Sequence, residues 1–438
     1  MLLFRPCMEG ACGSSDQLPG GHDHPNNMLH TKLGQALRVA YYHALVFGLL
    51  GTTLQLRGQN RLIRVEKVSW LYLGYSLLIS GCLLLDIYFM LPRAILDGYI
   101  THNIVLQWNF FAALGLRLAA IVCSYGLVWL QRRRLVKLYA DSLHLWRSHR
   151  RILKRMVEQH ALEELQLSLK NLFWRKTFVL YVTLLCSLVL QYQLLSVINR
   201  QSLTAFTARL SQFLHVLAAK MCFYALFLLL EHQFRAVHLA LGALQRRKGG
   251  KQKVQDLRRI AAMHWDTFQL ARRFFDLYDV ANAMLFANMF VSTMSILYHA
   301  VQYNNQTIQS NAWGSLFGSG LIVFNFWGTL MLMGLLDRVV SSCNDLGQTL
   351  RQFSDLRKIS KELQIEVSGR VDLFLRNVCI CFCFQLELFA RQLQRNRLVY
   401  KICGIVELNN SACLSYIGSI LSHVIILMQF DLRRRQET

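Results

Sequence analysis

The sequence predicts an all-α integral membrane protein of seven transmembrane helices, with a cytosolic amino terminus and an extracellular carboxyl terminus. Three observations lead there. The 438 residues are 54% hydrophobic and only 17% charged, with a mean hydropathy of +0.29, a composition that does not suit a soluble fold. Seven windows reach the roughly 20 apolar residues needed to cross about 30 Å of hydrocarbon. Finally, 35 Lys plus Arg fall in the connections 57–68, 131–176, 240–280 and 337–400, against 3 in 92–106, 198–211 and 303–313. Cationic connections stay in the cytosol. The formal net charge of +23 therefore marks inner loops and not a nucleic-acid surface.

Residues 1–35 read as a polar cytosolic tail, and His22, Asp23 and His24 within it are no more than a loose chelating group. Residues 36–68 comprise an apolar helix over 39–56, lying in or re-entering the inner leaflet, and a basic linker. A full crossing there would export the amino terminus, and no signal-peptide pattern precedes it. Six spans follow in 69–336, near 69–91, 107–130, 177–197, 212–236, 281–302 and 314–336, with cytosolic loops 131–176 and 240–280 between them. The prolines are Pro6, Pro19, Pro25 and Pro92, so the later spans are free of proline kinks. Leu135, Tyr139, Leu143 and Trp146 recur at helical spacing, and Leu153 and Val157 continue the stripe, a face that needs a partner. In the cytosolic segment 337–400 the theme returns with Leu346, Leu350 and Phe353, then with an apolar helix from Val371 to Leu393. Asp372, Arg376 and Glu387 leave that helix too short an uncharged run to span. Contact between subunits is the expected use of these faces, with anionic lipid the alternative. The seventh span, in 401–430, occupies 403–430, and 431–438 forms an extracellular tail.

Two sequons follow the same topology: Asn305 falls outside as a glycosylation acceptor, and Asn409 falls at the inner end of the last span. Cys82, Cys123, Cys186, Cys222, Cys403 and Cys413 lie within apolar stretches, which argues against a disulfide scaffold. No Gly-rich phosphate loop, His-Glu-x-x-His or paired carboxylate motif occurs, so neither an enzyme nor a cofactor is expected. Cys379, Cys381 and Cys383 are spaced two apart, which scatters them around a helix, and no metal site is expected. Asp337-Arg338-Val339 resembles the Asp-Arg-Tyr of rhodopsin-type receptors, but it follows the sixth crossing and the orientation is reversed. A seven-span receptor signalling through a G protein remains the alternative function.

The residues Ser422-His423-Val424-Ile425-Ile426-Leu427-Met428-Gln429-Phe430 carry a specific likeness. Insect gustatory receptors end their last span with Thr-Tyr, five apolar residues and Gln-Phe; the spacing here is the same, with Ser for Thr and His for Tyr. Gly404 to Leu408 and Tyr416 to Ser419 resemble the run into that motif, and Leu135 to Leu138 resemble the first cytosolic loop of the family. The resemblance implies a tastant-gated, nonselective cation channel in the plasma membrane of gustatory sensory neurons; aversive, bitter compounds are the expected ligands because no close resemblance to the sugar or carbon dioxide branches is present. It further implies a homo- or hetero-tetramer with other gustatory receptors, whose last spans line a central pore, and no nucleic-acid partner. Gln429 and Phe430 take the place of the outer constriction, with Ile426 beside them, and Ser422 and His423 stand in the gating motif. The six-helix bundle would sense the ligand, and the amino-terminal and cytosolic helices would anchor subunits to one another.

The family likeness also implies a tastant pocket in the outer half of the bundle. By depth its candidates are Trp108, Arg117, Gln191, Gln193, Lys220, Tyr298, Trp313, Asn325 and Trp327. Asp86 and Arg117 lie at similar depths and are expected to form a buried ion pair. Glu231 is expected to be structural, and Trp70, Trp108 and Trp313 also suit interfacial anchors.

Overall fold

The structure, a computed structural model, describes residues 32–50, 54–56, 63–65, 70–90, 104–196, 203–246, 251–304, 312–350, 373–408 and 410–437. In chain order these form α1 (Lys32–Val46), β1 (Leu54–Leu56), β2 (Ile63–Val65), α2 (Trp70–Met90), α3 (Ile104–Leu130), α4 (Arg132–Met156) and α5 (Gln159–Ser196). Then come α6 (Leu203–Arg246), α7 (Lys251–Asn304), α8 (Ala312–Asn344), α9 (Leu373–Arg395), β3 (Lys401–Ile402), β4 (Val406–Glu407) and α10 (Asn410–Glu437). Each strand pair is an antiparallel hairpin. Seven helices, α2, α3, α5, α6, α7, α8 and α10, are long and apolar enough to cross a membrane, in the number and order the sequence predicts. Two run far past a bilayer: α6 has 44 residues and α7 has 54, or about 66 and 81 Å. Much of loops 131–176 and 240–280 is therefore helix.

Composition sets each helix's place. Between Val216 and Leu230, α6 is apolar on nearly all sides, Lys220 excepted, and such a helix belongs in the centre. In α6, 67% of the most apolar window is buried, Tyr224, Leu228 and Leu230 are fully enclosed, and the helix packs on α2, α5, α7 and α8. The opposite case is α10, with 11% of its window buried.

The apolar stretch near the amino terminus folds differently from the expected helix over 39–56. Its helix, α1, starts at Lys32 and sets Ala36, Ala40 and Ala44 against α5 and α6, small residues that permit close approach. It ends at Gly48, whose φ of +65° turns the chain into a left-handed C-terminal cap. The carbonyls of Val46 and Phe47 accept from the hydroxyls of Tyr75 and Tyr125, both at 2.7 Å, which satisfies helix-end groups that would otherwise be orphaned. These bonds also tie α1 to α2 and α3. The apolar run continues beyond Gly48, but as β1 and not as helix.

The amphipathic face of α4 is present, with Leu135, Leu138, Ser142, Trp146, His149, Leu153 and Met156 buried. It is covered within the chain, by α6 and α7, and so is not left for a neighbouring subunit. Trp146 stacks on His232 with ring centroids 4.3 Å apart, His149 Nδ1 meets Gln233 Oε1 at 2.8 Å, and the hydroxyls of Tyr139 and Tyr278 are 2.8 Å apart. On α7 the cover comes from the length before the expected span 281–302, whereas His232 and Gln233 of α6 lie at the inner end of 212–236. Burial holds His149 down to about 4, which keeps its imidazole neutral.

Helix α9 matches the apolar helix expected from Val371 to Leu393 and packs on α7, with Phe389 and Leu393 buried. Leu346 and Leu350 are buried as well. Residues 1–31, Asn305 and Phe353 lie outside the described residues.

Candidate pore helix and ligand site

The last span differs from the expected 403–430 at both ends. Cys403 (φ +48°) and Gly404 (φ +69°) make the turn of the β3–β4 hairpin, and α10 begins only at Asn410. At the other end the helix continues to Glu437, so 431–438 is no separate tail. Three polar ties fasten the segment before α10. Asn344 accepts from the Leu398 N–H and donates to the Leu398 carbonyl, both at 2.9 Å. Asn282 Nδ2 donates to the Tyr400 hydroxyl at 2.7 Å, and the Cys403 N–H donates to Asp279 Oδ1 at 2.8 Å. Burial pushes the Tyr400 phenol well above its ordinary range, which keeps that hydroxyl protonated.

Beyond the ties, α10 touches its own chain through a narrow stripe. Ile420, Val424 and Asp431 are buried, and Cys413 and Tyr416 pack against the core. These positions share one helical face. Roughly 180° away, at about 100° per residue, lie Ser411, Ser415, Gly418, Ser422, Ile425, Ile426, Gln429 and Arg433. All are exposed, and the apolar side chains among them are the adjacent Ile425 and Ile426. The terminal motif is thereby divided: Ser422, Ile426 and Gln429 stand on the outward stripe, while His423 and Phe430 stand at its flank. His423 donates from Nδ1 to the Ser419 carbonyl at 2.7 Å and meets Phe290 of α7 edge-on at 5.6 Å.

Two further contacts join the helices around α10. The Gln302 amide donates to Asp431 Oδ2 at 2.7 Å and to the Tyr298 hydroxyl at 3.0 Å, linking α7 to α10. Asn325 Nδ2 donates to Thr293 Oγ1 at 3.0 Å, linking α8 to α7. Tyr298 and Asn325 therefore belong to the surroundings of the last helix.

The other depth-selected residues separate into two groups. Trp108, Trp313 and Trp327 are 70%, 61% and 42% exposed on the outside of the chain. Arg117, Gln191, Gln193 and Lys220 are half-buried, with Gln191 donating to Ser187 at 3.1 Å. Asp86 and Arg117 form no ion pair. The Asp86 carboxylate accepts from the Ser211 hydroxyl of α6, and Arg117 lies within electrostatic reach of Arg209 and Lys220. Their depths match, but the Asp86 carboxylate turns to Ser211 of α6 and not to Arg117. Glu231 is fully buried and pairs with Arg235 at 2.8 Å, in keeping with a structural role.

Two residues were missed from the sequence. Lys176 and Arg209 were counted as loop cations, but they lie inside α5 and α6. Lys176 is buried and donates to the Gly328 carbonyl. The guanidinium of Arg209 sits over the Phe110 ring at 5.6 Å. A helical stripe carried past the hydropathy windows was the available signal.

The 7tm Chemosensory receptor family matches residues 37–434, nearly the whole chain and all seven spans. The chain belongs to the insect gustatory receptors of this family. The receptor is 53% identical over 410 residues to gustatory receptor 58b of Drosophila melanogaster, covering 94% of this chain and 96% of that one. It is 24% identical over 417 residues to gustatory receptor 58a of the same organism, covering 92% and 99%. Among solved structures, it resembles the insect olfactory receptor OR5 from Machilis hrabei in complex with eugenol, with a TM-score of 0.60 at 13% identity, over 91% of this chain and 98% of that chain. A second structure of OR5 from the same organism matches with a TM-score of 0.59 at 12% identity. The receptor is thus a multi-pass membrane protein of a non-enzymatic family, and its fold is that of OR5.

Proposed function

We propose that the receptor is a tastant-gated, nonselective cation channel, a tetramer in which α10 of each subunit lines a central pore. The observation that carries this reading is the division of α10 into one packed stripe and one exposed stripe in which Ser411, Ser415, Ser422, Gln429 and Arg433 stand with Ile425 and Ile426. A membrane helix that exposes Ser and Gln along its length is poorly suited to lipid and well suited to water. Ile426 is the apolar constriction that closes by excluding water, Gln429 offers its amide to a partly dehydrated cation, and Phe430 packs beside them. Ser422 and His423 couple the gate to α7.

The remaining features fit this arrangement. The cationic connections put the amino terminus in the cytosol and the carboxyl terminus outside, at the plasma membrane of gustatory neurons. Residues 69–336 form the ligand-sensing bundle, with Arg117, Gln191, Gln193 and Lys220 as its interior candidates. The segment 337–400 and α1 form the inner anchor, and other gustatory receptors supply partner subunits. The likeness in fold to OR5, a protein described with bound eugenol, supports a small-molecule tastant, here of the bitter class.

The test is recording from outside-out patches lacking nucleotides, with the receptor expressed alone and with family members. A tastant-evoked cation current whose ion permeability changes on Gln429→Ala is expected. Surface expression without current in any combination, or a current that requires nucleotide, would overturn the reading in favour of G-protein signalling.

A further inference from the structure

The last helix ends on the run Arg433-Arg434-Arg435, a basic segment to which the pore reading gives no role. The run belongs to the same helix as Gln429, since α10 continues unbroken to Glu437. At about 100° per residue, Arg433 stands roughly 180° from the packed positions Val424 and Asp431, and about 6 Å beyond Gln429 along the axis. Its burial agrees with that register: Arg433 is exposed, as Gln429 is. The acidic residue beside it in the chain, Asp431, lies on the packed face, where it is 7% exposed and accepts from the Gln302 amide at 2.7 Å. The far end of α10 thus sorts its charges, with the carboxylate turned into the subunit and a guanidinium on the stripe that carries Gln429.

Cation pores ordinarily carry rings of carboxylate, and rings of Arg or Lys suit anion pores. Position decides what such a ring does here. At the constriction itself, bare guanidinium groups would exclude every cation. One turn farther out they stand in the water of the mouth, where their field is screened and acts in proportion to the charge of the ion. With each guanidinium about 8 Å from the ion, in water at physiological salt, four of them deplete a monovalent cation about fourfold and a divalent one about fifteenfold. We propose that Arg433 of the four subunits forms a ring of positive charge at the outer mouth, which sets selectivity among cations by admitting sodium and potassium and discriminating against calcium. The ring deepens the reading of α10 as the pore helix of a tetramer and rests on it.

The charge at this position can be changed after assembly. Arg433→Cys receptors are recorded in outside-out patches before and after external 2-sulfonatoethyl or 2-(trimethylammonio)ethyl methanethiosulfonate, and the reversal potential gives the calcium-to-sodium permeability ratio. Wild-type receptors treated in the same way supply the baseline for their own cysteines. The ratio should be about fourfold higher in Arg433→Cys than in the wild type. It should rise further with the anionic reagent and return toward the wild-type value with the cationic one. If Arg433→Cys does not reach the surface, Arg433→Gln and Arg433→Lys carry the comparison, and the lysine should keep the wild-type ratio. A ratio indifferent to the charge at this position, while Gln429→Ala still alters permeability, would overturn the ring and leave the pore reading standing. Reaction from the cytosolic face alone, in inside-out patches, would overturn it as well, by placing Arg433 at the inner end. No evoked current in any combination, or a current carried by chloride, would overturn both.

Discussion

Acid should loosen the inner part of the receptor through its buried imidazoles, His149 and His264 among them, and the share of His149 is separable by substitution. His149 is 2% exposed, lies between Gln233 and the Trp146–His232 stack, and is held by burial at about 4 instead of 6.5. The sign follows from linkage. The unfolded chain binds the proton more tightly, so the contribution of neutral His149 is complete above pH 6.5 and is lost as the pH falls toward 4. The whole interval corresponds to roughly 3 kcal/mol, of which about 2 kcal/mol is gone by pH 5. The assay is heat-induced unfolding of the purified receptor in detergent, followed by tryptophan fluorescence from pH 7.5 to 5, with His149→Gln in parallel. Glutamine can still donate to Gln233 but does not titrate. The wild-type midpoint should therefore fall more steeply than that of the variant, and the two curves should approach each other near pH 5. Curves that stay parallel across the range would refute the assignment of a buried, neutral imidazole.

Other perturbations separate the junction, the cap and the pore. Asn344→Leu removes both bonds to Leu398 and should cost about 1 to 3 kcal/mol, read as a lower unfolding midpoint and a smaller evoked current at equal surface expression. Gly48→Val combines a φ of +65° with a new Cβ 3.1 Å from Ser76 Cα. It should cost about 1 to 3 kcal/mol, visible as reduced surface expression and a lower midpoint. Ile426→Asn takes an apolar member from the exposed stripe of α10, and a standing cation leak without tastant is the expected recording.

Apolar length made the seven spans legible, since a run near 20 residues has few other uses, and the terminal motif made the family legible. Facing direction was harder. Asp86 and Arg117 have the right depths for a pair, but depth carries no information about which neighbouring helix each side chain turns to, and Asp86 turns to Ser211. Arg209 and Lys176 were taken for loop residues because a hydropathy window closes at the first charges, whereas hydrogen bonding carries a helix onward as long as its neighbours can bury one face. The cover over Trp146 was illegible for a different reason, as His232, which stacks on it, lies inside the window 212–236 and was read as part of a span. At 403–409 the composition is apolar enough for helix, and only the left-handed backbone at Cys403 and Gly404 reveals a turn. The two stripes of α10 could have been drawn from sequence, but the buried positions decide which of them faces inward.

The length of α7 has a mechanical consequence. At 54 residues it is a rod of about 80 Å that meets α3, α4, α6, α8, α9 and α10 along its course. Pivoted at its middle, a tilt of about 5° would carry either end through roughly 3.5 Å. A displacement too small to notice near the middle, where Asn282 meets Tyr400, would thus arrive at Gln302, near the outer end, as a step of about 3 Å, roughly twice a helix residue's rise, while the other end moves the opposite way.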